Sequence, residues 1–387
     1  MRKSTARRSF EPKTIADLAR PQRHWAAADP RSPSKSATLQ EATEPHLLAL
    51  KTSEPSHTLR QFDARAEAAR IFGRDPETDR LLPVFEHAQI ETRHSCVPID
   101  WYREPRGWIE RNALYLENAV PILERITRDC LAEADLEPAD IDAIVVVSTT
   151  GIATPSLDAL LMERLQLRRD VQRLPIFGLG CAGGVIGLAR AVALARAAPE
   201  SRVLFLVVEL CSLWFRKDDR SKSNIVASSL FGDGAAGAIL SCQGEGPRFG
   251  PAGEHTWPAS LEIMGWDVAE DGLRPIFSRD IPALVRRHMR EAADDFLARN
   301  GLSLKDIGAF VCHPGGAKVV AALEDAFGLA PAAFTGARHV LQHHGNMSAP
   351  TVLFVLDTML RKEPRCRMLL TALGPGFTVG FLILDNR

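Results

Sequence analysis

Cys181 stands in Leu174-Pro-Ile-Phe-Gly-Leu-Gly-Cys181-Ala-Gly-Gly, where an apolar stretch passes through glycines into a second one, Val185 to Ala198. Read as strand, turn and helix, this puts the thiol at the first turn of a buried helix. Unpaired backbone N–H groups and the helix dipole favour thiolate over thiol there. A thiolate can take an acyl group if another group stabilises the charge that develops. Two residues elsewhere have suitable chemistry. His313, in Val311-Cys-His-Pro-Gly-Gly, offers an imidazole. Asn346, in His344-Gly-Asn-Met-Ser, offers an amide that donates to an oxyanion and does not lose its proton. Taken singly, each has a plain reading as a buried cysteine, a loop histidine or a helix cap.

Internal repetition links the three. Asp140-Ile-Asp-Ala-Ile-Val-Val-Val-Ser-Thr-Thr-Gly151 is echoed by Asp306-Ile-Gly-Ala-Phe-Val-Cys-His-Pro-Gly-Gly316. The unit around Cys181 is echoed by His339-Val-Leu-Gln-His-His-Gly-Asn346-Met-Ser-Ala-Pro and the apolar run Thr351 to Arg361, at nearly the same offset. Phe231-Gly-Asp-Gly-Ala-Ala-Gly-Ala-Ile-Leu has a partner in Gly374-Pro-Gly-Phe-Thr-Val-Gly-Phe-Leu-Ile-Leu. Repetition on this scale predicts two similar α/β halves packed about a pseudo-twofold axis. Cys181, His313 and Asn346 would then share one site, each at the C-terminal end of a strand.

Composition bounds the function. The chain has 387 residues, enough for a large core, and a net charge of −1, which argues against nucleic acid as the main partner. No apolar run looks long enough to span a bilayer, and the start lacks a signal-peptide core. Seven cysteines (96, 130, 181, 211, 242, 312, 366) form no CxxC and no regular framework, which suggests reduced thiols in a cytoplasmic setting. No metal is expected, because His343-His344 has no second ligand cluster at metal spacing.

Residues 1–44, rich in Arg, Ser, Pro and Ala, read as a flexible tail, or alternatively as a transit peptide. A strand is expected from His46, then helices near Gln61–Gly73 and Trp108–Glu133. The first half occupies 45–245 and the second 246–387, with Gln243 to Pro258 as a Gly/Pro-rich join. Gly178-Leu-Gly180-Cys-Ala-Gly183 also matches the GxGxxG of dinucleotide folds. It lies deep in the chain, however, with no acidic residue ending a strand about 20 residues on.

The ordered blocks Gly178-Leu-Gly-Cys181-Ala-Gly-Gly, Leu230-Phe-Gly-Asp-Gly-Ala, His313-Pro-Gly-Gly, Gly345-Asn346-Met-Ser348 and Gly374-Pro-Gly-Phe377 carry a specific resemblance. From about His46 onward the chain resembles the type III polyketide synthases, the chalcone synthase-like branch of the thiolase-fold condensing enzymes, and bacterial members above all. The resemblance implies a five-layer αβαβα thiolase-like α/β fold of two duplicated halves, a homodimer, CoA thioesters as substrates, and no other cofactor. It assigns Cys181 as the acyl carrier, paired with His313 as thiolate and imidazolium. His313 and Asn346 would hold the carbonyl of malonyl-CoA as it loses CO2.

Further residues follow from the same resemblance. Phe231 matches a gatekeeper, and Gly374, Pro375, Gly376 and Phe377 match a loop that shapes the cavity. Pro275 falls near a second family phenylalanine, which suggests a more open gate. Thr149, Cys211 and Trp214 fall at cavity positions, with Trp214 bulkier than the family residue. Thr150 and Thr154 are small enough for a side tunnel, and Lys318 and Arg93 are candidates for CoA phosphates. The implied products are alkylpyrones or alkylresorcinols from a fatty acyl-CoA starter. Aromatic products from malonyl-CoA alone (phloroglucinol or tetrahydroxynaphthalene type) are an alternative. So are a carrier-protein-dependent ketoacyl synthase and an inactive scaffold.

Overall fold

The central strands are apolar on both faces, and each face has its own helix layer. In the strand Ala143–Val147, Ala143, Val145 and Val147 join one core cluster, while Ile144 and Val146 join another. In Arg202–Leu210, Val203, Phe205 and Val207 face the first cluster, and Leu204, Leu206, Val208 and Leu210 the second. Alternation between two apolar environments is what a strand covered on both sides requires.

The protein is described from a computed structural model, which covers residues 44–73, 76–362 and 365–387. The expected tail lies outside these residues, apart from Glu44. The strands are β1 (His46–Ser53), β2 (His57–Arg60), β3 (Thr92–Ser95), β4 (Ala143–Val147), β5 (Gln172–Ile176), β6 (Arg202–Leu210) and β7 (Asp233–Ser241). Then follow β8 (Arg248–Thr256), β9 (Met264–Ala269), β10 (Gly272–Phe277), β11 (Ala309–Cys312), β12 (Arg367–Gly374) and β13 (Thr378–Asp385). The expected strand at His46 and the helix Trp108–Glu133 are present, and the first helix covers Gln61–Phe72.

The large sheet runs β5-β4-β6-β7-β1 in the first half and continues as β8-β13-β12-β11 in the second. One antiparallel pair, His46 with Arg248, joins the two parts. The halves repeat each other: β4 and β11 are parallel to β6 and β12, and β7 and β13 run antiparallel to those strands. The repeat extends to the turns before β4 and β11, where Glu137 with Asp140 and Ser303 with Asp306 form matching capping boxes.

Between the two parts of the sheet lie the helices Gly183–Ala197 and Thr351–Leu360, which touch strands of both halves and each other. The helix Trp108–Glu133 covers the outer side of the first half, and Ile281–Arg299 packs with Ala317–Phe327 outside the second. The architecture is a thiolase-like five-layer αβαβα fold, as the resemblance implies. A stretch over Gly180–Ala197 is long and apolar enough to cross a membrane, contrary to the sequence expectation, but it is 72% buried as the central helix of the core.

Two expectations need correction. The segment Gln243 to Pro258 is no loop, since β8 occupies Arg248–Thr256 and pairs with β13. Its glycines and prolines mark turns beside that strand. Nor does Asn346 end a strand: the preceding residues form the helix Thr335–His344. Asn346 is instead pinned by a bridge to Phe231, with its N–H donating to Leu230 and its carbonyl accepting from Gly232. Ala337, Val340 and Leu341, all buried, are three and four residues apart, which suits one face of that helix.

Candidate active site

A single helical turn, Gly180–Ala182, carries Cys181 and runs directly into Gly183–Ala197. The two central helices meet at their N-terminal ends. A Cβ on Gly184 would lie 2.2 Å from the Ala349 carbonyl oxygen, so only glycine permits the crossing. This close approach sets the Cys181 turn against the loop Asn346–Ala349. The Ser348 hydroxyl hydrogen-bonds the Cys181 thiol, and the Ser348 N–H donates to Asn346 Oδ1 at 2.8 Å.

That last bond fixes the amide. With Oδ1 accepting from a backbone N–H, Nδ2 carries the donors. One reaches the Gly315 carbonyl at 3.2 Å, leaving the other proton for a ligand. Gly315 follows His313 by two residues at the end of β11, and His313 N donates to Thr371 O in β12. The His313 side chain is 5% exposed, yet neither Nδ1 nor Nε2 has a hydrogen-bond partner. A buried imidazole with both nitrogens unmet is poised for an incoming group.

Burial dominates the electrostatics. It pushes the Cys181 thiol up to about 11 despite the Ser348 hydrogen bond, and it lowers His313 to about 3. Burial therefore works against an isolated thiolate at Cys181 and an isolated imidazolium at His313, so the pair that the resemblance implies has to offset that cost. Desolvation of an isolated charge outweighs the helix terminus here.

The remaining predicted residues divide. A cavity of about 70 Å³ is lined by Cys211, Trp214, Phe231 and Pro275, together with Tyr102 and Trp266. Phe231 stacks on Phe277, with ring centroids 5.5 Å apart, two residues beyond Pro275. Thr149 Oγ1 accepts from Gly180 N at 3.2 Å, steadying the Cys181 turn. Gly374 and Pro375 pack over that turn, where a Cβ on Gly374 would meet Leu179 O at 2.5 Å. Gly376 takes a left-handed φ of 126°, and Phe377 packs into the core against Trp257.

Three expectations fail on geometry. Arg93 is 3% exposed and its Nη1 donates to the Phe231 carbonyl at 2.9 Å, so it braces the site rather than meeting phosphates at the surface. Thr150 Oγ1 donates to Glu209 and accepts from Leu210 N, which turns it away from the cavity. Thr154 is exposed and outside the cavity lining. Lys318 is exposed near the start of the helix Ala317–Phe327.

Sequence reading missed Glu209 and Asp233. Glu209 is buried and accepts from Thr149 N at 3.0 Å and Thr150 Oγ1 at 2.7 Å; burial raises its pKa to about 7. Asp233 accepts from Cys96 N, Ser212 N and Ser212 Oγ, tying the wall beside Cys211 to β7. A carboxylate inside an otherwise apolar strand was the available signal for both. The structure also gathers Glu54, His94 and His344, correcting the expectation that His344 lacks a ligand cluster.

Nucleophile, unpartnered imidazole and oriented amide on a duplicated five-layer frame define a thiolase-like condensing enzyme. The chalcone and stilbene synthase N-terminal domain matches residues 106–244, and the C-terminal domain of the same name matches 252–386. A chalcone synthase candidate of Bacillus subtilis (strain 168) is 38% identical over 357 residues, covering 88% of this chain and 98% of that protein. The 1,3,6,8-tetrahydroxynaphthalene synthase of Streptomyces peucetius subsp. caesius is 38% identical over 348 residues, covering 87% and 92%. The crystal structure of 1,3,6,8-tetrahydroxynaphthalene synthase from Streptomyces coelicolor A3(2) superposes with a TM-score of 0.84 at 28% identity, covering 88% and 99%. The chain belongs to the chalcone and stilbene synthase family and is a type III polyketide synthase. It is an acyltransferase of the malonyl-CoA-dependent class, which sets aside the dinucleotide, ketoacyl synthase and scaffold readings.

Proposed function

We propose that this synthase loads a fatty acyl group from CoA onto Cys181 and extends it iteratively with malonyl-CoA to an alkylpyrone or alkylresorcinol. The thiol proton passes to His313 as Cys181 sulfur attacks the acyl thioester, and CoA thiol leaves with that proton. The transfer creates the two charges together and leaves the net charge of the site unchanged. Malonyl-CoA then loses CO2, and the resulting enolate oxygen takes hydrogen bonds from His313 and Asn346. The enolate carbon attacks the Cys181 thioester; a C–C bond forms and the sulfur leaves. The observation that carries this reading is the spare Asn346 proton beside an imidazole with no partner.

An apolar starter is in keeping with the apolar lining beside Phe231, which includes Leu59, Ala68, Ile71 and Phe85. Relatives support the product class: Mycobacterium tuberculosis Pks18, 27% identical, is named for alpha-pyrone synthesis. A tetrahydroxynaphthalene-type product from malonyl-CoA alone is the second reading, favoured by the 38% identity to the Streptomyces peucetius enzyme. CoA thioesters serve as donors, with Lys318 near a phosphate, and no other cofactor enters the chemistry. CsyB, a fold neighbour, is described complexed with CoA-SH.

The same reading gives a homodimer joined at the β5 edge, where Phe177 and Ile152 are 62% and 50% exposed. Cys96, Cys130, Cys181, Cys211, Cys312 and Cys366 are free thiols, which fits a reducing cytoplasm. Incubation with labelled malonyl-CoA and acyl-CoA starters of increasing length tests the proposal. Pyrones or resorcinols carrying the starter support it. A product made from malonyl-CoA alone favours the second reading, and no turnover overturns both.

A further inference from the structure

Outside the reaction site, three donors from distant segments converge beside the loop that carries Asn346. Glu54 follows β1, His94 lies in β3, and His344 ends the helix Thr335–His344. Glu54 Oε1, His94 Nδ1 and His344 Nδ1 all lie within 4.8 Å of one another. The Glu54–His94 separation is 3.5 Å, and Glu54 and His344 form a closer ion-pair contact. The side chains are 21–25% exposed, but the three facing atoms are buried; Glu54 Oε1 and His344 Nδ1 face each other, and His94 Nδ1 has no hydrogen-bond partner. Buried ligand atoms that converge from three segments and are met by no group beyond one another are what a metal cradle presents.

We propose that Glu54, His94 and His344 form a transition-metal site of the zinc class. Two imidazoles and one carboxylate suit Zn²⁺ better than Mg²⁺ or Ca²⁺, which favour oxygen sets. With bonds of about 2.0–2.2 Å, donors on a tetrahedral ion stand roughly 3.3–3.5 Å apart. The Glu54–His94 separation of 3.5 Å already has that spacing.

The ion has a positioning role. It ties β1, β3 and the end of the helix Thr335–His344, two residues before Asn346. Arg93, next to His94, already holds the Phe231 carbonyl, and a Cβ on Gly345 would lie 3.3 Å from its Cβ. A metal here fixes the backbone on which the Asn346 amide is mounted while touching no substrate.

The test uses untagged full-length protein, stripped with a chelator and titrated with Zn²⁺. The parent binds about one ion per chain, and its apparent melting temperature rises with zinc. His94→Gln and His344→Gln each weaken binding by about tenfold or more and abolish the thermal shift. His339→Ala, at the neighbouring His339–His343 ring contact, leaves binding unchanged. A parent that holds no zinc, variants that bind as the parent does, or loss in His339→Ala overturns the proposal. Co²⁺ bound to the parent gives a check that needs no variant. Visible ligand-field bands without thiolate charge transfer support the assigned ligands, whereas a thiolate band moves the ion to a cysteine and overturns them.

Discussion

The approach to Cys181 and the approach to Asn346 occupy equivalent places in the two halves, yet they are built differently. In the first half, the edge strand β5 leads through Gly178 and Gly180 into the nucleophile turn. In the second, a helix ends at His344, and Asn346 is held by the bridge to Phe231. The nucleophile needs a tight turn at the head of a buried helix. The amide needs its backbone clamped so that one proton points consistently into the site. Duplication supplied the frame, and divergence at one segment supplied two kinds of chemistry.

The largest effect should separate those two chemistries. Cys181→Ala should lower polyketide formation by roughly 10⁴-fold or more while leaving malonyl-CoA decarboxylation measurable. Loss of both activities together would show that the halves do not divide the reaction this way. Asn346→Ala removes an oxyanion donor, and kcat for decarboxylation should fall by about 10²–10³. A change confined to KM would deny the amide its transition-state role.

Gly184→Ala drives a Cβ into the Ala349 carbonyl and should cost about 1–3 kcal/mol of stability, with activity falling as the two loops move apart. Unchanged denaturation midpoint and rate would mean the crossing has slack.

Buried groups in the two halves should also impose opposite pH slopes. Between 4.5 and about 7, the unfolded chain has lost the Glu209 proton and the native chain keeps it, so stability falls as pH rises through that window. Between 6.5 and about 3, unfolded His313 is protonated and native His313 is not, so stability falls as pH falls. Each slope is about 1.4 kcal/mol per pH unit at most. Glu209→Gln should flatten the first and His313→Gln the second in variant-minus-parent curves. A Glu209→Gln curve parallel to the parent from pH 5 to 7 would remove Glu209 from the account. The smallest effect is expected for Trp214→Ala, which should lengthen the accepted starter without changing the chemistry, checked by product masses.

Much of this was legible in sequence because it rests on residue type and order. The repeat located both halves, and glycines beside Cys181 and Asn346 announced tight loops. Reading failed where tertiary context decides. The segment before Asn346 carries apolar residues whose spacing fits a helix face as well as a strand. Arg93 looked like any surface cation until its guanidinium was seen beneath Phe231. The resting charge of Cys181 depends on burial, which a motif does not encode. Glu54, His94 and His344 are too far apart in the chain for ligand spacing to reveal them.

The seam between the two parts of the sheet carries a consequence for adaptation. A single residue pair, His46 with Arg248, links the two parts of the sheet, and away from the Phe231–Asn346 bridge the halves meet through packing of the central helices, which helps set the separation of nucleophile and oxyanion donors. Backbone ladders are nearly discrete in register, whereas packed side chains can be altered by one methyl group at a time. The reaction distance in this protein is therefore finely adjustable from the core, by substitutions that touch neither substrate nor catalytic residue.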